Sequence, residues 1–258
     1  FVSFAETLSA SRDDRLISQT VSDAYNKIQS HPFPNLWMDR MLKLYESTHE
    51  RFDDTPWGKY LLDTAVQFAL NGLDALDRAL KLLDEEPVLA EKYRPIISGD
   101  RAQTVEFLNK ARSGWDDAVK AASLPVKKLS AAPRNYSDPV FRDYIKSLRE
   151  RWKKSWNRIG EMLAEPGDVH LAEMRSSLPV LRGLFLAVVR FEEKYSALKS
   201  ARGVMDFNDI SHSVIKLLCT EENNRYTPTE VARQIGSRYV EVLIDEFQDT
   251  NELQDLLA

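Results

Sequence analysis

The chain has a single cysteine, Cys219, in 258 residues. That excludes an intramolecular disulfide framework and a multi-cysteine zinc site, and it fits a reducing compartment. Glycine and proline are sparse, at 9 and 11, too few for the tight turns of a large β-sandwich or barrel. No apolar run approaches the ~20 residues that span a bilayer, and no charged-then-apolar leader precedes the first helix. The expectation is therefore a soluble cytoplasmic protein with no membrane partner. Positive charge is not in excess either. The formal net charge is -5, so the chain as a whole is not a basic nucleic-acid binder. What is abundant is 43% hydrophobic residues, with Leu, Ala, Glu, Lys and Arg recurring at helical spacing, enough for one substantial core or two modest ones. The fold class expected is mostly α.

The apolar spacing predicts a helix over 13–30, ended by His31-Pro32-Phe33-Pro34, and another from Asn35. Thr55 followed by Pro56 reads as an N-cap with proline at the first helical position, opening a helix through Leu61, Ala65, Phe68, Leu76 and Leu83. Residues 87–123 read as one or two helices, with Ser98-Gly99-Asp100 as the expected break. A loop is expected over 127–133, a helix over 137–163, and a helix over 170–200 that restarts or kinks at Pro179. After Gly203 the texture changes. A short helix over 206–219 leads through a polar loop to Thr227-Pro228-Thr229-Glu230, which reads as a capping box, and that helix ends near Gly236. Residues 239–244, Tyr-Val-Glu-Val-Leu-Ile, are the one convincing strand. One strand cannot satisfy its own backbone, so its sheet is expected outside this chain or the strand is expected at an exposed edge. With a start at Phe1 and an uncapped helical pattern at the end, the chain reads as an excerpt of something longer.

The strand runs into two adjacent carboxylates, Asp245 and Glu246. At the carboxyl end of a parallel strand such a pair has a use in nucleotide hydrolysis, where the first carboxylate holds Mg²⁺ through its water shell and the second orients or deprotonates the attacking water. Two carboxylates by themselves fit a strand followed by a solvated acidic turn better. The full string Ile244-Asp245-Glu246-Phe247-Gln248-Asp249-Thr250-Asn251 resembles motif II of the superfamily 1 DNA helicases of the UvrD/Rep/RecB group. Met205-Asp206-Phe207-Asn208-Asp209-Ile210 resembles the LDFxDL segment that precedes motif II in that group and marks the return from the helical 1B insertion into motor domain 1A. Gln29-Ser30-His31-Pro32-Phe33-Pro34-Asn35-Leu36-Trp37-Met38 is similar to the S-x-P-x-P-x-x-W-L stretch of AddA-type helicase/nuclease subunits, called RexA in some bacteria. It departs from that stretch in Phe33 between the prolines and in Met38 for Leu.

The resemblance implies a helical 1B-type domain over 1–203 and a partial domain 1A over 204–258, a truncated piece of a P-loop α/β motor contributing about one strand. It implies Asp245 as the Mg²⁺-associated, nucleotide-side carboxylate, Glu246 as the base for ATP hydrolysis, Gln248 as the link between nucleotide state and the DNA-binding motor, and Asp249 as support for the loop. It further implies a bacterial protein that works with an AddB/RexB-type partner on broken duplex DNA ends, using ATP and Mg²⁺. Two other readings stand beside it: a UvrD/Rep-type helicase without a nuclease, and a non-enzymatic helical scaffold. No G-x-x-x-x-G-K-[ST] occurs; the one Gly-Lys pair, Gly58-Lys59, precedes Tyr60. The chain alone is therefore expected to bind no nucleotide and to be inactive.

The charge is unevenly spread. Residues 127–158 hold ten Lys and Arg against three acids, a local charge of +7. Within them Arg142, Lys146, Arg149 and Lys153 follow i, i+4, i+7, i+11, a basic stripe on one helix face that predicts phosphate contact. Solvation of an amphipathic helix predicts the same pattern. The four histidines show no metal-ligand spacing.

Overall fold

The computed structural model describes residues 14–46, 49–133, 136–222, 225–246, 250 and 252–257. Its order is α1 (Asp14–Ile28), α2 (Pro34–Glu46), a 3-10 turn (Phe52–Asp54), α3 (Pro56–Leu82), α4 (Pro87–Ala111), α5 (Trp115–Ala122), α6 (Pro139–Met162), α7 (Gly167–Arg202) and α8 (Phe207–Leu218). Then come β1 (Cys219–Glu222), β2 (Arg225–Pro228), α9 (Glu230–Gly236) and α10 (Glu252–Leu257). The fold is mostly helical, as expected. It divides into two compact units, one of residues 48–174 and one of residues 1–47 with 175–258.

The 48–174 unit is organised by α3. Thr55 is its cap: the buried hydroxyl accepts from the Gly58 N–H at 3.0 Å and donates to the Phe52 carbonyl at 2.7 Å, and Pro56 occupies the position where a missing N–H costs nothing. One face of α3 carries Ala65, Ala69, Gly72, Ala75, Leu76 and Ala79, all buried. The small side chains let α6 approach and seat its indoles. A Cβ on Gly72 would lie 2.9 Å from Trp152 Cδ1, so glycine at that contact is a packing requirement. Trp152 is held from its other side, where Nε1 donates to Thr104 Oγ1 at 2.8 Å. Phe107, Trp115, Trp156 and Ile159 complete this core.

The break expected at Ser98-Gly99-Asp100 is absent, and α4 continues through both Pro95 and Gly99. Leu89, Tyr93, Ile97, Asp100, Thr104, Phe107 and Ala111 form one unbroken buried row, and that burial overrides the local turn preference. Likewise α7 runs through Pro179 as one helix. It serves both cores in turn, with Leu171 in that of the 48–174 unit and Phe185 and Val188 in that of the other.

In the second unit α1, α2 and α7 bury Val21, Tyr25, Ile28, Met38, Phe185 and Val188. Gly203, at φ 65°, ends α7 in the left-handed conformation. A smaller cluster of Ile215, Cys219 and Leu253 is covered by Phe33, Tyr226 and Leu256. The polar loop expected after Cys219 is instead an antiparallel hairpin, registered Thr220 to Thr227 and Glu221 to Tyr226. Its sequence is a poor strand former, and it is held by the hydroxyl pair of Thr220 and Thr227 at 2.8 Å and by Phe33 stacked on Tyr226 at 5.6 Å. The cap of α9 is Thr229, whose hydroxyl accepts from Ala232 N–H at 3.3 Å; Thr227 and Pro228 belong to β2. This corrects the capping box expected to begin at Thr227.

The strand expected over 239–244 does not form. Those residues run without regular structure, with Val240, Val242 and Leu243 exposed. The physical reason is the one that made a lone strand doubtful, since among the described residues no neighbouring strand takes up its backbone groups.

Candidate functional site

Asp245 and Glu246 sit in a bend that follows the irregular 239–244 stretch. An Asp245 carboxylate oxygen accepts from the Glu246 N–H at 2.9 Å. Glu246 has φ 52°, the left-handed conformation that a non-glycine residue seldom takes outside tight turns and functional sites. The two side chains therefore leave a sharply turned backbone. Gln248 and Asp249, with Phe247 and Asn251, lie outside the described residues. On the far side of the motif the chain enters α10, where Leu253 is buried.

The other two segments read from the sequence meet in the same unit. Loop 29–34 and the start of α8 line a cleft of about 520 Å³, together with Tyr25, Glu192, Ser196, Lys199 and Lys216. The start of α8 is a full capping box. Asp206 accepts from the Asp209 N–H at 2.9 Å, and Asp209 accepts from the Asp206 N–H at 2.9 Å. Lys199, almost buried, bridges both carboxylates from α7 at 2.9 and 2.6 Å, and its ammonium lies 4.4 Å from the Tyr195 ring centre. Burial opposes the lysine's charge, but its two carboxylate hydrogen bonds prevail and raise its pKa above the ordinary value. Burial likewise works to raise Asp206, and the Lys199 and Asp209 hydrogen bonds outweigh it, so that carboxyl is held below its usual range. Burial pushes the nearby Tyr25 phenol up to about 12.

The basic stripe on α6 is only partly a surface. Arg149 is inside the protein, its side chain 4% exposed. It donates through Nε to Asp100 at 2.6 Å and through a terminal nitrogen to the Lys127 carbonyl at 2.6 Å. A guanidinium spent on a buried carboxylate cannot reach a phosphate, which corrects the expectation for Arg149. Arg142 is bidentate to Asp143 at 2.8 and 3.0 Å. Lys146 lies 3.7 Å from that same carboxylate and is partly exposed, as is Lys153.

Comparison with known proteins bears on these three segments together. Residues 184–258 match the family described as the UvrD/REP helicase N-terminal domain. The whole chain is 26% identical over 264 residues to the A subunit of the ATP-dependent helicase/nuclease of Ruminiclostridium cellulolyticum. The match covers 21% of that protein. The chain is similar from end to end to AddA-type helicase/nuclease proteins. The corresponding protein of Acetivibrio thermocellus is 28% identical over 269 residues, covering all of this chain and 21% of its own length. That of Bacillus velezensis is 27% identical over 262 residues, covering 99% of this chain and 21% of its own length. The chain thus spans about a fifth of the length of the curated relatives it matches. The AddA-type resemblance read from 29–38, 205–210 and 244–251 is shown by these relatives, and the UvrD/REP match takes in the last two of those segments.

Against this AddA-type background, Lys199 is the residue that sequence reasoning missed. The Asp206/Asp209 spacing announces a helix start, where carboxylates are already favoured by the free N–H groups and the helix dipole, so no sequence signal pointed to the lysine. Among the described residues, no group of three His, Cys, Asp or Glu could hold a metal ion. One exposed Asp245 carboxylate is nevertheless a fit for Mg²⁺, which keeps several of its waters and takes one or two protein carboxylates alongside phosphate oxygens. No helix among the described residues is long and apolar enough to cross a membrane.

Proposed function

We propose that this chain is the part of an AddA-type, ATP-dependent DNA helicase/nuclease in which a helical 1B-type domain, 1–203, returns to motor domain 1A, 204–258. Its longer protein would process duplex DNA ends in double-strand-break repair, with an AddB/RexB-type partner, in the bacterial cytoplasm. The single observation that carries the reading is end-to-end similarity to the helicase/nuclease relatives, with Ile244-Asp245-Glu246-Phe247-Gln248-Asp249-Thr250-Asn251 inside the UvrD/REP match. The same similarity favours this reading over a helicase without a nuclease and over a passive helical scaffold.

In this reading Asp245 would hold Mg²⁺, which would supply charge neutralisation on the nucleotide phosphates. Glu246 takes the proton of the attacking water, Gln248 reports the nucleotide state to the DNA-binding surface, and Asp249 braces the loop. The exposed Val240, Val242 and Leu243 are the side chains a sheet strand would bury, and an apolar stretch of this kind marks a surface that is covered in its complete setting. Lys146, Lys153 and Arg142 are the remaining proposed DNA contacts. The test is ATP-dependent unwinding of a blunt duplex by the longer protein together with its AddB/RexB-type partner. The reading predicts unwinding that disappears in Asp245→Asn, and unwinding retained in that variant contradicts it.

A further inference from the structure

We infer that loop 29–34 is the positioning element of motif II, anchoring the start of α10, the helix that follows the Asp245/Glu246 turn in sequence, through a clasp of His31, Trp37 and Glu252. This rests on the motif II reading. On the amino-terminal side of the turn, Val240, Val242 and Leu243 are exposed. On the carboxyl-terminal side the ties are made from the first turn of α10. The N–H of Leu253, a first-turn donor of α10 with no intrahelical partner, donates to the Ser30 carbonyl at 3.2 Å. One residue earlier, the Glu252 carboxylate pairs with the His31 imidazole. Leu253 itself is buried against Ile215 and Cys219.

The imidazole is placed before Glu252 reaches it. His31 stacks on Trp37, with ring centres 4.4 Å apart and planes 14° from parallel, and Trp37 packs on Phe185 of the unit's core. Pro32 and Pro34 restrict the loop backbone, so little freedom is lost when it meets α10. Each prominent residue of the His-Pro-Phe-Pro-x-x-Trp stretch thereby has an occupation: His31 meets Glu252, Phe33 stacks on Tyr226, Trp37 backs the imidazole, and the prolines stiffen the loop. The loop also reaches the return segment, since His212 of α8 contacts the Gln29 carbonyl at 3.0 Å. It therefore joins all three of the chain's separated sequence signals.

His31 is a positioning residue with no place at the nucleotide, so its loss acts on turnover and leaves ATP binding alone. The experiment is steady-state ATP hydrolysis by the longer protein carrying His31→Ala, His31→Phe, His31→Gln, Glu252→Gln and the His31→Ala/Glu252→Gln pair, with Glu246→Gln in parallel. A misplaced carboxylate should lower kcat about tenfold in His31→Ala and in Glu252→Gln, with KM for ATP changed by less than about twofold. The pair should be no slower than either single variant. His31→Gln, which retains a planar donor, should recover most of the rate, and His31→Phe, which keeps only the stack, should not. Should His31→Ala fail to fold, the conservative Glu252→Gln and His31→Phe variants carry the decision. Full kcat in folded His31→Ala or Glu252→Gln, or effects that multiply in the pair, overturns the clasp while leaving motif II intact if Glu246→Gln is dead. A normal rate in Glu246→Gln overturns the motif II reading, and the clasp with it.

Discussion

Arg149 and Asp100 form an ion pair inside the helical unit, Nε to Oδ2 at 2.6 Å, with side chains 4% and 3% exposed. The arginine lies 5.6 Å from the Trp152 ring centre, and Trp152 reaches Thr104, whose hydroxyl donates to the Asp100 carbonyl at 2.8 Å. The pair and the indole thus pin α6 to α4 at one level of the core. Removing only the arginine leaves a buried carboxylate without its cation. Arg149→Ala should cost about 3–5 kcal/mol of unfolding free energy, whereas Asp100→Leu with Arg149→Met should cost less than either substitution alone. Urea denaturation followed by circular dichroism measures both, and an Arg149→Ala change within about 0.5 kcal/mol contradicts the role.

The start of α8 should be indifferent to pH around neutrality and weaken in acid. Asp206 has its pKa held below the ordinary value, so its contribution is complete above the unfolded aspartate value of about 4 and is lost as pH falls through the folded one. Lys199 is raised, so its contribution is complete below the unfolded lysine value of about 10 and is lost only as pH rises through the folded one. Amide hydrogen exchange of α8 against pH reads this directly. Asp206→Asn should remove the acid-side loss, and an unchanged acid profile in that variant would assign it to other groups.

Much of this was legible in the sequence. Thr55 with Pro56 announced α3 as a cap opening a long amphipathic pattern, and the periodicity over 137–163 announced α6. The segments carrying motif II, the return helix and the His-Pro-Phe-Pro loop were equally visible. What the sequence could not convey is set by distant partners. The i, i+4, i+7 rule placed Arg149 beside Arg142 and Lys146, yet Asp100, 49 residues away, turned it inward. Strand propensity marked 239–244, but a strand exists only with a neighbour. The 219–228 hairpin has charged and proline residues among its strand positions, and the Thr220/Thr227 hydroxyl pair and the Phe33–Tyr226 stack that support it are contacts the local pattern did not convey.

The basic face of α6 divides into a structural and a solvent-facing part. If Lys146 and Lys153 contact phosphates, Lys146→Ala with Lys153→Ala in the longer protein should flatten log K against log salt on duplex DNA by about 1–2 units and weaken binding similarly for all sequences. Helix content should be preserved, since alanine is the better helix former. An unchanged slope in the folded double variant rejects DNA contact by this face.

The central claim is that Asp245 and Glu246 are the motif II carboxylates of an ATP-driven DNA motor, and Glu246→Gln in the longer protein tests it most directly. An amide can still hydrogen-bond water but cannot accept its proton. Measured together, ATP binding should be unchanged and DNA-stimulated hydrolysis reduced by about 100-fold or more. Under the same conditions this 258-residue chain alone should release no phosphate. Near-normal turnover in Glu246→Gln, with binding intact, would place the base elsewhere and contradict the account.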